Sequence, residues 1–191
     1  MANADKISQD ALDIISGQIA ARVPYLIEQK LLPQAASIKV GDSFPLWRLG
    51  GDAIVVKRRT LPDLLKLATR TDRWHHQVTF DGKDLAYARS VPLKKQPLRE
   101  IFVSRLAGSI HQAVRLVEAR AKKDTLIRLL SVPAYQVVAL WLINESKGAS
   151  QILVIDAPPK FAERTREKFL SSEDFLELLR KEQPVMGVKP A

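Results

Sequence analysis

The chain has 191 residues, carries 30 Lys+Arg against 21 Asp+Glu for a formal charge of +9, and contains no cysteine. Its length suits one domain, and its 46% hydrophobic content is that of a globular chain rather than a disordered one. The lack of cysteine excludes disulfides, thiolate metal sites and cysteine nucleophiles. It fits a reducing compartment, so we expect a cytoplasmic protein.

The N-terminal residues do not have the composition of a targeting segment. Asp5, Asp10 and Asp13 lie where a signal peptide needs basic and then apolar residues. The longest strictly apolar run, Val137–Ile143, has seven residues, whereas a membrane-spanning helix needs about 20. We therefore expect neither a leader peptide nor a transmembrane segment.

The first third of the chain predicts helices followed by a hairpin. Apolar residues recur at helical spacing over Lys6–Val23, and Asp5 can cap the first turn. Pro24 predicts a break before a second short helix, Tyr25–Leu32. The next predicted elements are the strands Phe44–Leu49 and Ala53–Arg58, joined at Gly50-Gly51-Asp52, and a helix that begins at Thr60-Leu61-Pro62-Asp63.

The middle third predicts a second hairpin and a long helix. The strands Trp74–Phe80 and Leu85–Val91 flank Asp81-Gly82, a strong hairpin signal. Apolar and basic residues at helical spacing then predict a basic helix over Leu98–Lys123. Alternation along the hairpin predicts one face with Trp74, His76, Val78, Phe80, Leu85, Tyr87 and Arg89, and another with His75, Gln77, Thr79, Ala86 and Ala88.

The last third predicts three strands and two helices. The predicted strands are Thr125–Val132, Tyr135–Asn144 and Gln151–Asp156, and the helices are Lys160–Leu170 and Glu173–Lys181, the second capped at Ser171-Ser172. Short, hairpin-like connections predict an α+β fold with a mainly antiparallel sheet and helices packed on one face or at its ends. We expect a single domain over residues 1–182 and a flexible tail over 183–191.

Several sequence motifs of known chemistry are missing. The chain has no P-loop, dinucleotide-binding, zincin, EF-hand or nucleophile-elbow pattern. His75 and His76 are adjacent on a predicted strand, so their side chains point to opposite faces, and the third histidine is His111. We therefore expect no metal site and no cofactor.

Positive charge is concentrated in the middle of the chain. Lys57–Lys123 holds 16 Lys+Arg and 6 Asp+Glu, a net +10, while the other residues carry a net −1. This pattern favours a non-catalytic protein that binds a polyanion, either a nucleic-acid backbone or an acidic protein surface, in a salt-dependent way. The candidate binding residues are Lys57, Arg58, Arg59, Arg70, Arg73, Arg89, Lys94, Lys95 and Arg99.

Two alternatives remain open. The first is an enzyme or small-ligand sensor with an anion-binding pocket over the Trp74–Arg89 hairpin. In that hypothesis Arg89 binds the anionic ligand, His76 transfers a proton, and Tyr87 orients the ligand. The second is a structural subunit of a larger assembly or homo-oligomer, which would use the first helix and an exposed sheet edge.

Overall fold

A computed structural model describes residues 6–32, 34, 37–55, 64–120, 125–144, 149–182 and 184. The helices are α1 (Gln9–Glu28), α2 (Gly51–Val55), α3 (Leu64–Leu67), α4 (Arg105–Glu118), α5 (Pro159–Thr165) and α6 (Ser172–Lys181). The strands are β1 (Ile38–Leu49), β2 (Ala68–Phe80), β3 (Lys83–Ser90), β4 (Leu98–Val103), β5 (Thr125–Val132), β6 (Val137–Asn144), β7 (Ala149–Asp156) and β8 (Phe169–Ser171). Within these ranges, no helix has both the length and the hydropathy that a membrane crossing requires.

The strands form an eight-stranded sheet in the order β4-β3-β2-β1-β5-β6-β7-β8. β1 and β5 are parallel, whereas the pairs β2–β3, β3–β4, β5–β6, β6–β7 and β7–β8 are antiparallel. The predicted α+β class with a mainly antiparallel sheet is confirmed. The contacts divide the chain into unit 1, formed by Met1–Pro45 and Asp72–Gln112, and unit 2, formed by Leu46–Thr71 and Ala113–Ala191.

Unit 1 has its core between α1 and one face of its strands. Ile15, Ile19 and Val23 are buried on α1 and belong to one apolar cluster with Val78 and Ala88. Their spacing is that of one helical face, as the sequence predicts. Helix α1 covers this face of the sheet, which leaves the opposite face of the same strands for other contacts.

Helix α1 differs from its prediction at both ends. It begins after Ser8, whose hydroxyl accepts a hydrogen bond from the backbone N–H of Ala11 at 3.3 Å; the predicted cap, Asp5, lies outside the described residues. It then continues through Pro24 to Glu28 instead of breaking. Pro24 is exposed, so water can reach the carbonyl that its missing N–H leaves unbonded.

Unit 2 has its core around Trp141 on β6. Leu140 and Trp141 are consecutive, point to opposite faces, and are both 0% exposed. Strand β6 is therefore covered on both sides. On the Trp141 side, Phe161 of α5 and Phe175 of α6 meet edge to face at 6.3 Å between ring centroids.

Three predicted elements are wrong in type over part of their length. The predicted strand Ala53–Arg58 begins inside helix α2, and residues 56–60 lie outside the described part of the chain. The predicted helix Leu98–Lys123 is strand β4 followed by α4, with residues 121–124 outside that part. The predicted helix Lys160–Leu170 ends early, and after Glu167 at φ 55° the chain continues as strand β8 beside β7.

Other predictions fall on residues that are not described. The proposed helix start at residues 60–63 and most of the proposed tail at 183–191 lie outside the described ranges. The single domain over residues 1–182 stays a prediction.

The cap of α6 gives a first test of this fold. Ser171 Oγ accepts a hydrogen bond from the backbone N–H of Asp174 at 3.0 Å and donates to Asp174 Oδ2 at 2.7 Å. We expect Ser171→Ala to lower the free energy of unfolding by about 1 kcal/mol, because a helix N-terminus loses its acceptor. Urea unfolding followed by circular dichroism measures this. Ser109→Ala, on the exposed side of α4, is the control and should change stability by less than about 0.5 kcal/mol.

Candidate functional site

Strands β2 and β3 form a hairpin whose register differs from the predicted one by one residue. Phe80 pairs with Lys83 beside the turn, whereas Val78 pairs with Ala86. Between these two pairs β3 has one residue more than β2, which is a β-bulge. Because side chains alternate along a strand, the extra residue moves all following positions of β3 to the opposite face.

The bulge changes which side chains share a face with Arg89. His75 is the direct cross-strand neighbour of Arg89, and Trp74 is that of Ser90. The predicted face that combined Trp74 and His76 with Arg89 is therefore wrong. His75, which the prediction placed on the other side, takes that position instead.

Strand β4 completes this surface. Phe102 pairs with Tyr87, and Glu100 pairs with Arg89. Since paired residues of antiparallel strands project to the same side, three strands contribute to one face. We call it the Arg89 face; its members are His75, Gln77, Tyr87, Arg89, Glu100 and Phe102.

Aromatic rings hold the Arg89 side chain on this face. The rings of His75 and Tyr87 are stacked with centroids 4.6 Å apart, and those of Tyr87 and Phe102 are stacked at 4.8 Å. The guanidinium carbon of Arg89 lies 4.9 Å from the Phe102 centroid and 5.6 Å from that of Tyr87. Each such contact stabilises the cation by about 0.5–2 kcal/mol. The guanidinium is therefore positioned before any ligand arrives.

Several polar atoms of the Arg89 face are buried without hydrogen-bond partners among the described residues. They are both ring nitrogens of His75, Nε2 of Gln77 and Nε of Arg89. His75 is 1% exposed and Gln77 is 5% exposed. An unsatisfied buried polar group costs about 1–3 kcal/mol. This face therefore holds four donor or acceptor atoms that the described residues leave unsatisfied.

His75 is uncharged at neutral pH. Burial lowers its pKa from 6.5 to about 3, and the positive charges of His76 and Arg89 act in the same direction. The neutral ring offers one N–H donor and one acceptor nitrogen. Burial also raises the pKa of Tyr87; Arg89 opposes this shift and Glu100 adds to it. Tyr87 therefore keeps its proton on this face.

His76 lies on the opposite face and has a structural role. Its Nδ1 is 2.8 Å from Ser43 Oγ, and its Nε2 is 2.7 Å from Ser90 Oγ. Burial lowers the pKa of His76 to about 4. Both His76 and Ser90 are 0% exposed. His76 of β2 thus links β1 to β3 through its two ring nitrogens. The proton-transfer hypothesis requires His76 to lie beside Tyr87 and Arg89, and the structure does not place it there.

An open cavity of about 300 Å³ lies in unit 1 beside Asp72 and Arg73 of β2, at the end of β3 and the beginning of β4. Ser90 and Val91 supply its uncharged lining residues. Its charged lining residues are Asp72, Arg73, Arg89, Lys94, Arg99 and Glu100. Four cations against two carboxylates give this cavity a positive field, and Arg89 connects it to the aromatic rings of the Arg89 face.

The structure brings together only part of the predicted basic set. Four of its members line this cavity, namely Arg73, Arg89, Lys94 and Arg99. Lys95 is exposed beside Lys94, and Arg70 belongs to unit 2. Lys57, Arg58 and Arg59 lie outside the described residues.

Metal ligation finds no support in the described ranges, where no group of three or more His, Asp or Glu side chains converges. The third histidine, His111, has its Nδ1 2.9 Å from Asp84 Oδ1. Both side chains are about one-fifth exposed, so this is a weak surface pair.

Sequence reasoning missed His75, Glu100 and Phe102. A bulge next to Asp81-Gly82 leaves no distinct mark in the alternation, so His75 was placed on the wrong face. Glu100 and Phe102 lie in a segment predicted to be helical. Had Leu98–Val103 been assigned as a strand, its pairing with β3 would have brought Phe102 to Tyr87.

The chain matches no protein-family model, no curated protein and no solved structure at a significant level.

Proposed function

We propose that unit 1 binds a small anionic ligand in the cavity, with Arg89 as the anchoring residue. The observation that carries this proposal is the state of Arg89: its guanidinium lies over two aromatic rings while its buried Nε has no hydrogen-bond partner. A planar guanidinium fixed in this way can offer parallel N–H groups to a carboxylate or phosphate.

The charges around Arg89 support an anionic ligand. Arg73, Lys94 and Arg99 line the same cavity and add to the positive field that would attract an anion. The volume of about 300 Å³ lies at the lower end of the range for small-molecule sites. We propose binding rather than catalysis, because the histidine nearest to a potential nucleophile, His76, is fully buried and bonded at both ring nitrogens.

A polyanionic partner is the second candidate, and exposure favours it. Arg73, Lys94, Lys95 and Arg99 are all exposed in unit 1. They could contact successive phosphates of a nucleic acid or carboxylates of an acidic protein, and affinity would then fall steeply with salt. A cytoplasmic location and a role as a subunit of a larger assembly stay predictions.

Calorimetric titration of the full chain with inorganic phosphate and with pentanoate tests the proposed function. We expect Arg89→Gln to weaken binding about 10- to 100-fold, because a charge-assisted hydrogen bond contributes about 1.5–3 kcal/mol. Arg89→Lys should recover only part of the affinity, since an ammonium lacks the planar fork. Arg105→Gln, an exposed arginine outside the cavity lining, is the matched control and should bind as the wild type does.

Single-stranded DNA and heparin form a separate arm of this experiment. Binding of these polymers that disappears at high salt, together with no binding of phosphate or of any small carboxylate, would replace the small-ligand proposal by the polyanion one. Unchanged affinity of the small anions in Arg89→Gln would contradict the role of Arg89.

A further inference from the structure

Arg89 and Glu100 carry opposite charges at directly paired positions of β3 and β4. Cross-strand neighbours of this kind have Cβ atoms about 4.5–5.5 Å apart, close enough for opposite charges to attract each other. Here the guanidinium instead lies over the rings of Tyr87 and Phe102. The two rings thus draw the cation away from the carboxylate that stands beside it.

Both charges remain available to the cavity. Arg89 and Glu100 line it together, and Glu100 is exposed. Both charges act on the Tyr87 hydroxyl in addition to burial: Arg89 lowers its pKa, and Glu100 raises it. A cationic and an anionic group therefore stand side by side in one cavity without neutralising each other.

Asp72 gives the cavity a second carboxylate, from the start of unit 1's part of β2. Two carboxylates would repel a compact dianion such as phosphate, and this repulsion would offset part of the attraction of the cations. A ligand with an ammonium group turns the same carboxylates into favourable contacts. The mixed lining thus discriminates between anions that do and do not carry a positive group.

We propose that the ligand is a small zwitterion, with a carboxylate and an ammonium on the same or neighbouring carbon atoms, as in an amino acid. Arg89 binds the carboxylate, and Glu100 binds the ammonium. This inference rests on the proposed anion-binding function and narrows it to one class of ligand.

Three matched probes separate the contributions of the two groups: L-2-aminopentanoate, pentanoate, which lacks the ammonium, and butylamine, which lacks the carboxylate. Titration of the wild type should give an affinity for aminopentanoate at least about 10-fold above that for pentanoate, since one charge-assisted hydrogen bond is worth that much. Butylamine should bind more weakly than aminopentanoate.

Two variants assign the groups. Glu100→Gln should bring aminopentanoate down to the affinity of pentanoate and leave pentanoate unchanged or slightly tighter. Arg89→Gln should weaken both carboxylates. Glu118→Gln replaces an exposed carboxylate outside the cavity lining and should leave the ratio of affinities as in the wild type.

The outcomes distinguish this inference from the proposed function. Equal affinities for aminopentanoate and pentanoate, both lost in Arg89→Gln, would overturn the zwitterion while the anion site stands. A ratio that Glu100→Gln leaves unchanged would overturn the role of Glu100 and with it this proposal. Absence of binding for aminopentanoate, pentanoate and inorganic phosphate alike would overturn both.

Discussion

Acidification from pH 7 to pH 4 is expected to lower the stability of unit 1 by about 3 kcal/mol through each of two buried histidines. Burial lowers the pKa of His75 to about 3 and that of His76 to about 4, against 6.5 for an exposed imidazole. Between these values the unfolded chain binds protons that the folded chain does not. Their contribution to stability is therefore complete above about pH 6.5 and is lost progressively as the pH falls towards the folded-state values.

Urea unfolding at pH 7, 5.5 and 4 measures this loss. His75→Gln should reduce the loss between pH 7 and pH 4 by about 3 kcal/mol, whatever its stability at neutral pH, because glutamine does not titrate. Carboxylates also titrate in this range, so the difference between variant and wild type is the informative quantity. An equal pH dependence in both proteins would show that His75 is not buried as described.

Removal of Trp141 should have the second large effect. Trp141 is 0% exposed, lies in the central apolar cluster of unit 2, and meets the Trp47 ring edge to face at 5.5 Å. We expect Trp141→Ala to lower the free energy of unfolding by about 3–5 kcal/mol, the usual loss for a large buried aromatic side chain.

Trp47→Ala provides the comparison within the same cluster. Trp47 is only partly buried, so its removal should cost less than that of Trp141. Denaturant unfolding of both variants measures the order of the two losses. A Trp47→Ala variant that is less stable than Trp141→Ala would contradict the placement of Trp141 at the centre of the core.

The sequence predicts best those elements whose apolar pattern fits only one type of secondary structure. Strand β5 occupies Thr125–Val132 as predicted, and β6 lies within the predicted Tyr135–Asn144. Ser171 is the cap of α6 within the predicted Ser171-Ser172 pair, because its hydroxyl has a helix N-terminus to bind. In each case local chemistry and tertiary packing favour the same structure.

The segment Leu98–Val103 shows where local patterns are not sufficient. Leu98, Ile101 and Phe102 fit one side of a helix by spacing, and the basic residues around them fit an exposed helical face. In the structure this segment pairs with β3 as strand β4. Such pairing between distant parts of the chain overrides local propensity, and the sequence alone does not reveal it.

The candidate site depends even more on one local irregularity. The composition of the hairpin correctly indicated that an arginine and aromatic residues would meet, but the bulge in β3 decides which ones. With a regular hairpin, His76 would face Arg89; with one extra residue, His75 does. Because of this one extra residue, His76 faces away from Arg89 and bonds to Ser43 and Ser90 instead. His75, which is neutral and has no hydrogen-bond partner among the described residues, lies beside Arg89.

Amide chemical-shift mapping of the ¹⁵N-labelled chain during titration with L-2-aminopentanoate addresses the cavity itself. Binding at Arg89 should shift the amides of its lining segments, namely Asp72–Arg73, Arg89–Val91, Lys94 and Arg99–Glu100. The same titration of Arg89→Gln should leave these amides nearly unmoved. If saturating ligand shifts none of these amides, or shifts mainly residues elsewhere in the chain, unit 1 does not use this cavity to bind such a ligand.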